Sequence, residues 1–276
     1  IGAVLLVPAV IAFVVDLLNP ENNQSGFVSK QIVPQKNRAA ETAAYIFCGL
    51  LVACIVAPIL SFLFMVFETK YPIDPTFTLY HIEKTMNRGA GDYLLNALMY
   101  SALAAVFGTF LAFVCSYMTT RMQGRFSKVL HLISMTSMAI PGIVLGLSYL
   151  LFFSGTPIYG SIWIVVLVNS IHFFASPYLM MHNTMEKLNP NLESVGASLG
   201  ISRIHIILDV ILPKVRLTVY EMLVYFFVNS MMTISAVSFL APPAPKPLAL
   251  MINQFEAQRL MESAAFVSLM IFGINI

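Results

Sequence analysis

Long apolar runs alternate with short polar segments along this chain. About 20 apolar residues are enough to cross a hydrocarbon core of about 30 Å. The pattern therefore predicts an all-α polytopic membrane protein, in which the polar segments are loops. Seven runs are candidate spans, over residues 1–18, 44–67, 93–119, 129–153, 161–181, 217–240 and 264–276.

The basic residues indicate how these spans are oriented. The segments 19–43, 120–128 and 182–216 contain ten Lys and Arg residues, whereas the other loops contain five. Because cytoplasmic loops carry an excess of Lys and Arg, we expect these three segments to be cytoplasmic. The polar linker 19–43 then separates residues 1–18, interpreted as the last, truncated helix of a preceding unit, from a unit over 44–276 whose last helix is also truncated.

Composition excludes several classes of function. The chain is 58% hydrophobic and 10% charged, whereas soluble domains are about 25% charged. The net charge is only +2, and no basic cluster suggests a nucleic-acid partner. The three cysteines lie in apolar runs and the five histidines are scattered. This spacing predicts no metal site.

The spans carry almost no charged residue in their interiors. Ion-coupled transporters and intramembrane enzymes place ionisable groups there, so the absence argues against both classes. Uncharged polar residues are candidates for lining a passage, although hydrogen bonding between helices is the alternative. Pro141 and Gly142 predict a kink within a span, either as a hinge or as a packing adaptation. The candidate lining residues are Ser137, Asn169, Ser170, Asn229, Ser230 and Thr233.

The most polar stretch of the second half covers residues 189–216. Asn189 and Pro190 predict a helix start, and Gly200 predicts its end in a left-handed conformation. Ser202 predicts the cap of a second helix that Pro213 ends or kinks. The sequence therefore predicts a helix-turn-helix on the cytoplasmic face, with small residues in its first arm that allow a partner surface to approach closely.

This loop resembles the EAA loop of the permease subunits of ABC importers. That loop reads Glu-Ala-Ala, three residues, Gly, nine residues, then Ile-x-Leu-Pro. Here Gly200 and Pro213 have the family spacing, with Ile211 and Leu212 before the proline. Glu193 lies one place upstream of the family's glutamate position, which Ser194 occupies. The resemblance assigns coupling to Glu193, Ser194, Val195, Gly196, Ala197, Gly200, Ile211, Leu212 and Pro213.

The resemblance implies a six-helix type I ABC importer transmembrane domain over 44–276, with a coupling loop over 182–216. It implies a bacterial inner-membrane location and cytosolic ABC ATPase subunits that bind the ATP and Mg²⁺. The further partners are a solute-binding protein, a second permease unit and the lipid bilayer. The segments 138–149 and 229–240 resemble fused ferric-iron and 2-aminoethylphosphonate permeases, and more loosely polyamine permeases. A secondary transporter or channel without an ATPase remains the alternative.

Overall fold

The computed structural model describes residues 38–122, 124–240 and 246–276, which are almost entirely helical. The predicted helix over 1–18 and most of the linker 19–43 lie outside the described residues, so this division of the chain stays a prediction. The elements are α1 (Arg38–Phe67), β1 (Glu68–Lys70), β2 (Asp74–Phe77), α2 (Tyr80–Asn87), α3 (Ala90–Arg121), α4 (Arg125–Thr136), α5 (Gly142–Phe153), α6 (Ile162–His172), α7 (Ala175–Glu186), α8 (Leu192–Ser198), α9 (Arg203–Ile206), α10 (Leu212–Met232), α11 (Ala249–Ala257) and α12 (Met261–Asn275).

The described residues form two compact units. The larger unit covers residues 89–251 and contains α3 to α10, whereas the smaller contains α1, β1, β2, α2 and most of α12. Among the described residues, α1 and α3 are each long and apolar enough to cross a membrane. The number of such spans rises to four if two bent helix pairs each count as one. The all-α membrane architecture predicted from the sequence is confirmed.

Helix α3 is the centre of the larger unit and packs against α4, α6, α7 and α10. Its buried face consists largely of small side chains, which let neighbouring helix backbones approach closely. A Cβ added at Gly108 would lie 2.7 Å from the ring of Phe226 on α10. The small residues of this face are Ala97, Ser101, Ala104, Ala105, Gly108, Thr109, Ala112 and Ser116.

The predicted span 129–153 is not one continuous helix. It is two helices, α4 with a short 3₁₀ turn (Ser137–Ala139) and then α5, bent by 110° at the break. Ile140 is extended, with φ −101° and ψ 116°, because a residue before proline is disfavoured in the helical region. The feature at Pro141 is therefore a complete break rather than a kink within one helix.

The predicted span 161–181 also differs from the structure. It divides into α6 and α7, which are bent by 55°, and α7 continues to Glu186. Pro177 lies in the first turn of α7, where its missing N–H leaves no hydrogen bond unmade. The first residues of the segment 182–216, which was predicted to be a cytoplasmic loop, are therefore helical.

The ends of the remaining spans are shifted. Helix α10 ends at Met232, and residues 235–240 form turns where the sequence predicted helix to 240. A Cβ added at Gly146 of α5 would lie 2.5 Å from the carbonyl oxygen of Ala236. Nothing in the local sequence marks this helix end, so we attribute the turn to its close packing against α5. The span predicted over 264–276 is α12, which begins at Met261.

The smaller unit contains a short antiparallel hairpin. Strand β1 pairs with β2, and Glu68 lies opposite Phe77. The rings of Phe67 and Phe77 stack with centroids 5.6 Å apart. In the same unit, Arg88 Nη1 donates a hydrogen bond to Gln258 Oε1 at 2.7 Å.

Candidate functional site

The polar loop between α7 and α10 begins with a tight turn. Asn189 Oδ1 accepts a hydrogen bond from the backbone N–H of Asn191 at 2.9 Å. Asn189 and Pro190 therefore lie in an Asx turn, and α8 begins at Leu192. The predicted helix start at Pro190 is wrong by two positions.

The end of α8 matches the prediction. Gly200 has φ +73°, a conformation that glycine adopts without steric cost. The N–H of Ile201 donates to Gly196 O at 2.9 Å, and the N–H of Gly200 donates to Ala197 O at 3.1 Å. These two bonds form a Schellman motif, which turns the chain sharply from α8 towards α9.

Gly196 lies inside the loop and not on its outer surface. It is buried, and a Cβ there would lie 2.2 Å from Ile206 Cδ1. The small residue therefore lets α8 and α9 pack together. The prediction that Gly196 allows a partner to approach closely is wrong, whereas Ser194, Val195 and Ala197 are exposed.

The end of the EAA-like pattern lies within a continuous helical segment. Residues Ile207–Ile211 form a π-helical turn between α9 and α10. The wider turn accommodates Pro213, which lacks an N–H and crowds the carbonyl four residues earlier. Ile211 is fully buried and Leu212 is half-buried, whereas Pro213 is exposed. Ile211 therefore belongs to the core of the larger unit.

Glu193 contacts the end of α3. Its Oε1 lies 3.4 Å from Arg121 Nε, and the two side chains are 14% and 7% exposed. Arg121 Nη1 also donates to Asn189 O at 3.1 Å, and Nη2 donates to Met185 O at 3.4 Å. One guanidinium therefore holds α8, the preceding turn and the end of α7.

A cavity of 360 Å³ opens beside this ion pair. Its lining combines polar and charged groups from α3 with the exposed side of α8. The lining residues are Tyr117, Thr120, Arg121, Met122, Pro190, Glu193, Ser194, Ala197 and Arg203.

Large apolar side chains are exposed on the outer side of the same loop. Val195 and Leu199 project from α8, where they are 55% and 71% exposed. Ile201, Ile204 and Leu208, which follow in the same loop, are also exposed, and we call these five residues the apolar patch. A cluster of this kind marks an interaction site for a protein or a membrane.

A polar network that the sequence did not predict links α3, α4 and α7. The Tyr178 hydroxyl donates to Thr119 Oγ1 at 3.0 Å, and Thr119 Oγ1 contacts His182 Nδ1 at 3.1 Å. His131 Nδ1 hydrogen-bonds the same Tyr178 hydroxyl. Tyr178 and His182 are one turn apart on α7, whereas Thr119 lies on α3 and His131 on α4, so only the tertiary structure brings the groups of the three helices together.

Of the six predicted lining residues, Ser137 and Asn229 lie on two separate cavities. Ser137 lines an apolar cavity of 450 Å³, and its Oγ accepts the N–H of Ala175 at 3.1 Å. Asn229 lines a separate cavity of 370 Å³ beside Glu221. Ser170 is buried, and its Oγ donates to Val166 O of its own helix at 2.8 Å and lies 3.3 Å from Ala104 O of α3, a hydrogen bond between helices.

The remaining three candidates are buried. Asn169 is 1%, Ser230 6% and Thr233 8% exposed. Asn169 Oδ1 and Ser230 Oγ have no hydrogen-bond partner among the described residues.

The predicted hinge lies at a close contact. A Cβ added at Gly142 would lie 2.5 Å from Ser235 Oγ and 3.0 Å from His172 Nε2. Glycine at this position therefore lets the start of α5 touch both α6 and the turn after α10.

Residues 104–276 match the family model described as "Binding-protein-dependent transport system inner membrane component". The match covers more than half of the chain. The chain belongs to this family of transport proteins. Family membership makes it an integral membrane protein and a component of a transport system, as the sequence predicted.

The curated relatives are named for two kinds of transport, that of ferric iron and that of 2-aminoethylphosphonate. The chain is 26% identical over 212 residues to the ferric transport system permease protein FbpB of Actinobacillus pleuropneumoniae, covering 74% of this chain and 31% of the relative. It is 27% identical over 180 residues to the putative ferric transport system permease protein FbpB 1 of Haemophilus influenzae, covering 63% and 28%. It thus spans about a third of these relatives. The putative 2-aminoethylphosphonate transport system permease protein PhnV of Salmonella typhimurium is 25% identical over 203 residues, covering 72% and 76%.

Proposed function

We propose that this chain is the permease subunit of an ATP-driven solute importer and forms its translocation path. In this proposal residues 189–213 couple the path to a cytosolic ATPase, which binds ATP and Mg²⁺ in place of this chain. A solute-binding protein delivers the solute, and a second permease unit, fused or separate, completes the path in the bacterial inner membrane.

The apolar patch is the observation that supports coupling best. Leu199 and Ile204 are 71% and 67% exposed, although they lie on a loop that the distribution of Lys and Arg places in the cytoplasm. Covering this surface removes apolar area from water, which favours association with a protein. The Schellman turn and the packing of Gly196 on Ile206 hold the two arms of the loop in one shape. A docking element that transmits force needs this rigidity.

The cavities give limited support for the position of the path. Asn229 and Ser137 are retained as lining residues because each lies on a cavity. Asn169 and Ser230 have buried polar atoms without described partners, and such burial is costly. We infer that these two atoms gain partners when the helices separate during transport.

The substrate is proposed from the relatives. Their names support ferric iron and 2-aminoethylphosphonate, or a related phosphonate, as the two leading candidates. A polyamine rests only on the looser resemblance of the sequence and comes third.

Purification and uptake together test this function. The complete transporter that contains this chain is purified in mild detergent and reconstituted with its solute-binding protein. We expect an ATPase to copurify, and uptake of radiolabelled 2-aminoethylphosphonate or ferric iron to require ATP inside the vesicles. Uptake driven by an ion gradient without an ATPase would instead support the secondary-transporter alternative.

A further inference from the structure

The Arg121–Glu193 pair links the coupling loop to the helix at the centre of the larger unit. Arg121 is the last residue of α3, and Glu193 lies in the first turn of α8. Their charged atoms are 3.4 Å apart, and both side chains are largely shielded from water. Shielding weakens screening by salt, so this contact is stronger than an ion pair on an open surface.

The other contacts of Arg121 make the link specific. Its two terminal nitrogens donate to the carbonyls of Met185 and Asn189. Met185 lies in the last turn of α7, at the negative end of the helix dipole, which favours a positive charge. The planar, forked guanidinium donates to two carbonyls while its Nε lies 3.4 Å from the Glu193 carboxylate without a hydrogen bond to it, an arrangement that a lysine ammonium on a flexible stem cannot match in geometry.

The link matters because α3 lies at the centre of the larger unit. Helix α3 packs against α6, α7 and α10 through its small-residue face. A displacement of α8 that carries the end of α3 with it therefore acts directly on the centre of the larger unit. Besides the link, α8 touches that centre through Leu192, which packs on the buried cluster, and through Gly196, which packs on Ile206; the link is the ionic contact between the two helices.

We propose that Arg121 and Glu193 form a clamp that makes α8 and α3 move as one rigid body. They are positioning residues for the coupling step, and this role rests on the proposed function. The clamp also assigns a role to the carboxylate at Glu193, one place upstream of the EAA glutamate. That carboxylate binds Arg121 within the chain, so it is not the group presented to the ATPase.

Distance measurements between spin labels test the clamp. In a cysteine-free background, Ser198→Cys on α8 and Met122→Cys at the end of α3 are labelled, because both positions are exposed. The complete transporter with its ATPase is compared without nucleotide and after trapping with ATP and vanadate. The clamp is opened by Arg121→Gln or by Glu193→Gln. Arg125→Gln is the matched control, because Arg125 is an exposed arginine at the start of the next helix.

If the clamp is rigid, the distance between the two spin labels in the wild-type transporter should change by less than about 2 Å on trapping. This is no more than the usual size of a helix shift. Arg125→Gln should behave in the same way. Both clamp variants should show a broader distribution that shifts on trapping. Solute transported per ATP should fall about fivefold or more in them, the lower range of typical coupling between sites. The double variant should lose no more than the worse single variant, because both remove one interaction.

Three results would overturn the clamp. The first is a wild-type distance that changes on trapping as much as in Arg121→Gln. The second is that both clamp variants keep the wild-type distance between the labels and the wild-type amount of solute transported per ATP. The third is a purely structural role, in which less complex assembles but the assembled complexes couple normally. Failure to find any ATPase partner would overturn the proposed function together with the clamp, whereas these three results overturn the clamp alone.

Discussion

The substitution Gly200→Val tests the coupling loop at the turn between its arms. Gly200 has φ +73°, and nothing lies within 4 Å of the position that a Cβ would occupy. The change therefore introduces backbone strain without a collision. Valine is a severe choice because a β-branched residue with positive φ is a conformational outlier.

The magnitude follows from the strain and from the bonds that oppose it. A left-handed conformation costs an L-residue roughly 1–2 kcal/mol. The two Schellman hydrogen bonds, at 2.9 and 3.1 Å, each contribute about 0.5–1.5 kcal/mol. The strain energy is therefore comparable with the energy of the two hydrogen bonds that hold the turn closed. Since about 1.4 kcal/mol is a factor of ten, we expect the closed turn to become roughly tenfold less populated relative to open forms.

The assay measures ATP hydrolysed per solute transported in reconstituted vesicles. We expect Gly200→Val to raise this ratio, and Gly200→Asn to stay near wild type because asparagine tolerates the left-handed region. The matched control is Gly155→Val, since Gly155 also has positive φ, +82°, and open space around it, but lies between α5 and α6. A wild-type ratio in Gly200→Val, or an equal rise in Gly155→Val, would refute the reasoning.

Two further substitutions test the packing of the larger unit. Gly108→Ala should cost about 1–3 kcal/mol of stability by overpacking, because its Cβ would lie 2.7 Å from the Phe226 ring. Thermal unfolding in detergent should therefore show a lower midpoint. Gly49→Ala is the control, and its midpoint should not fall because nothing lies within 4 Å of the added Cβ. Gly142→Ala should reduce uptake, because its Cβ would lie 2.5 Å from Ser235 Oγ, and adding Ser235→Gly should restore part of it. Failure of this rescue would show that the contact does not limit transport.

The features that depend on local backbone chemistry could be predicted from the sequence. Helix α3 ends at Arg121, two residues beyond the predicted span 93–119. Gly200 adopts the predicted left-handed turn. Hydrophobic runs and single glycines act over a few residues, so a sequence pattern contains the necessary information.

The features that depend on proline and on distant packing were missed or underestimated. Pro141 produces a break of 110° in place of a kink, and the bend of 55° before Pro177 was not predicted, although the proline was a signal for it. Arg121 and Glu193 meet although four helices, α4 to α7, separate them in the sequence. No spacing rule could have paired them, because only the packing of α7 against α3 brings them together.

The shape of the proposed coupling loop was predicted in part. The turn at Gly200 was anticipated, whereas the burial of Gly196 and Ile211 was not. The exposure of the apolar patch depends on which face of α8 and α9 packs against the chain. Hydrophobicity alone could not distinguish an exposed Leu199 from a buried Ile206.

Photo-crosslinking from the apolar patch tests the central claim most directly. A photoreactive phenylalanine replaces Leu199, which is 71% exposed, and as a control replaces Phe152 of α5, which is 77% exposed. In the native membrane, we predict that the probe at position 199 crosslinks to a cytosolic ATPase subunit and that the probe at 152 does not. Crosslinks from position 199 only to lipid, or to the ATPase equally from both positions, would contradict a coupling role for this loop.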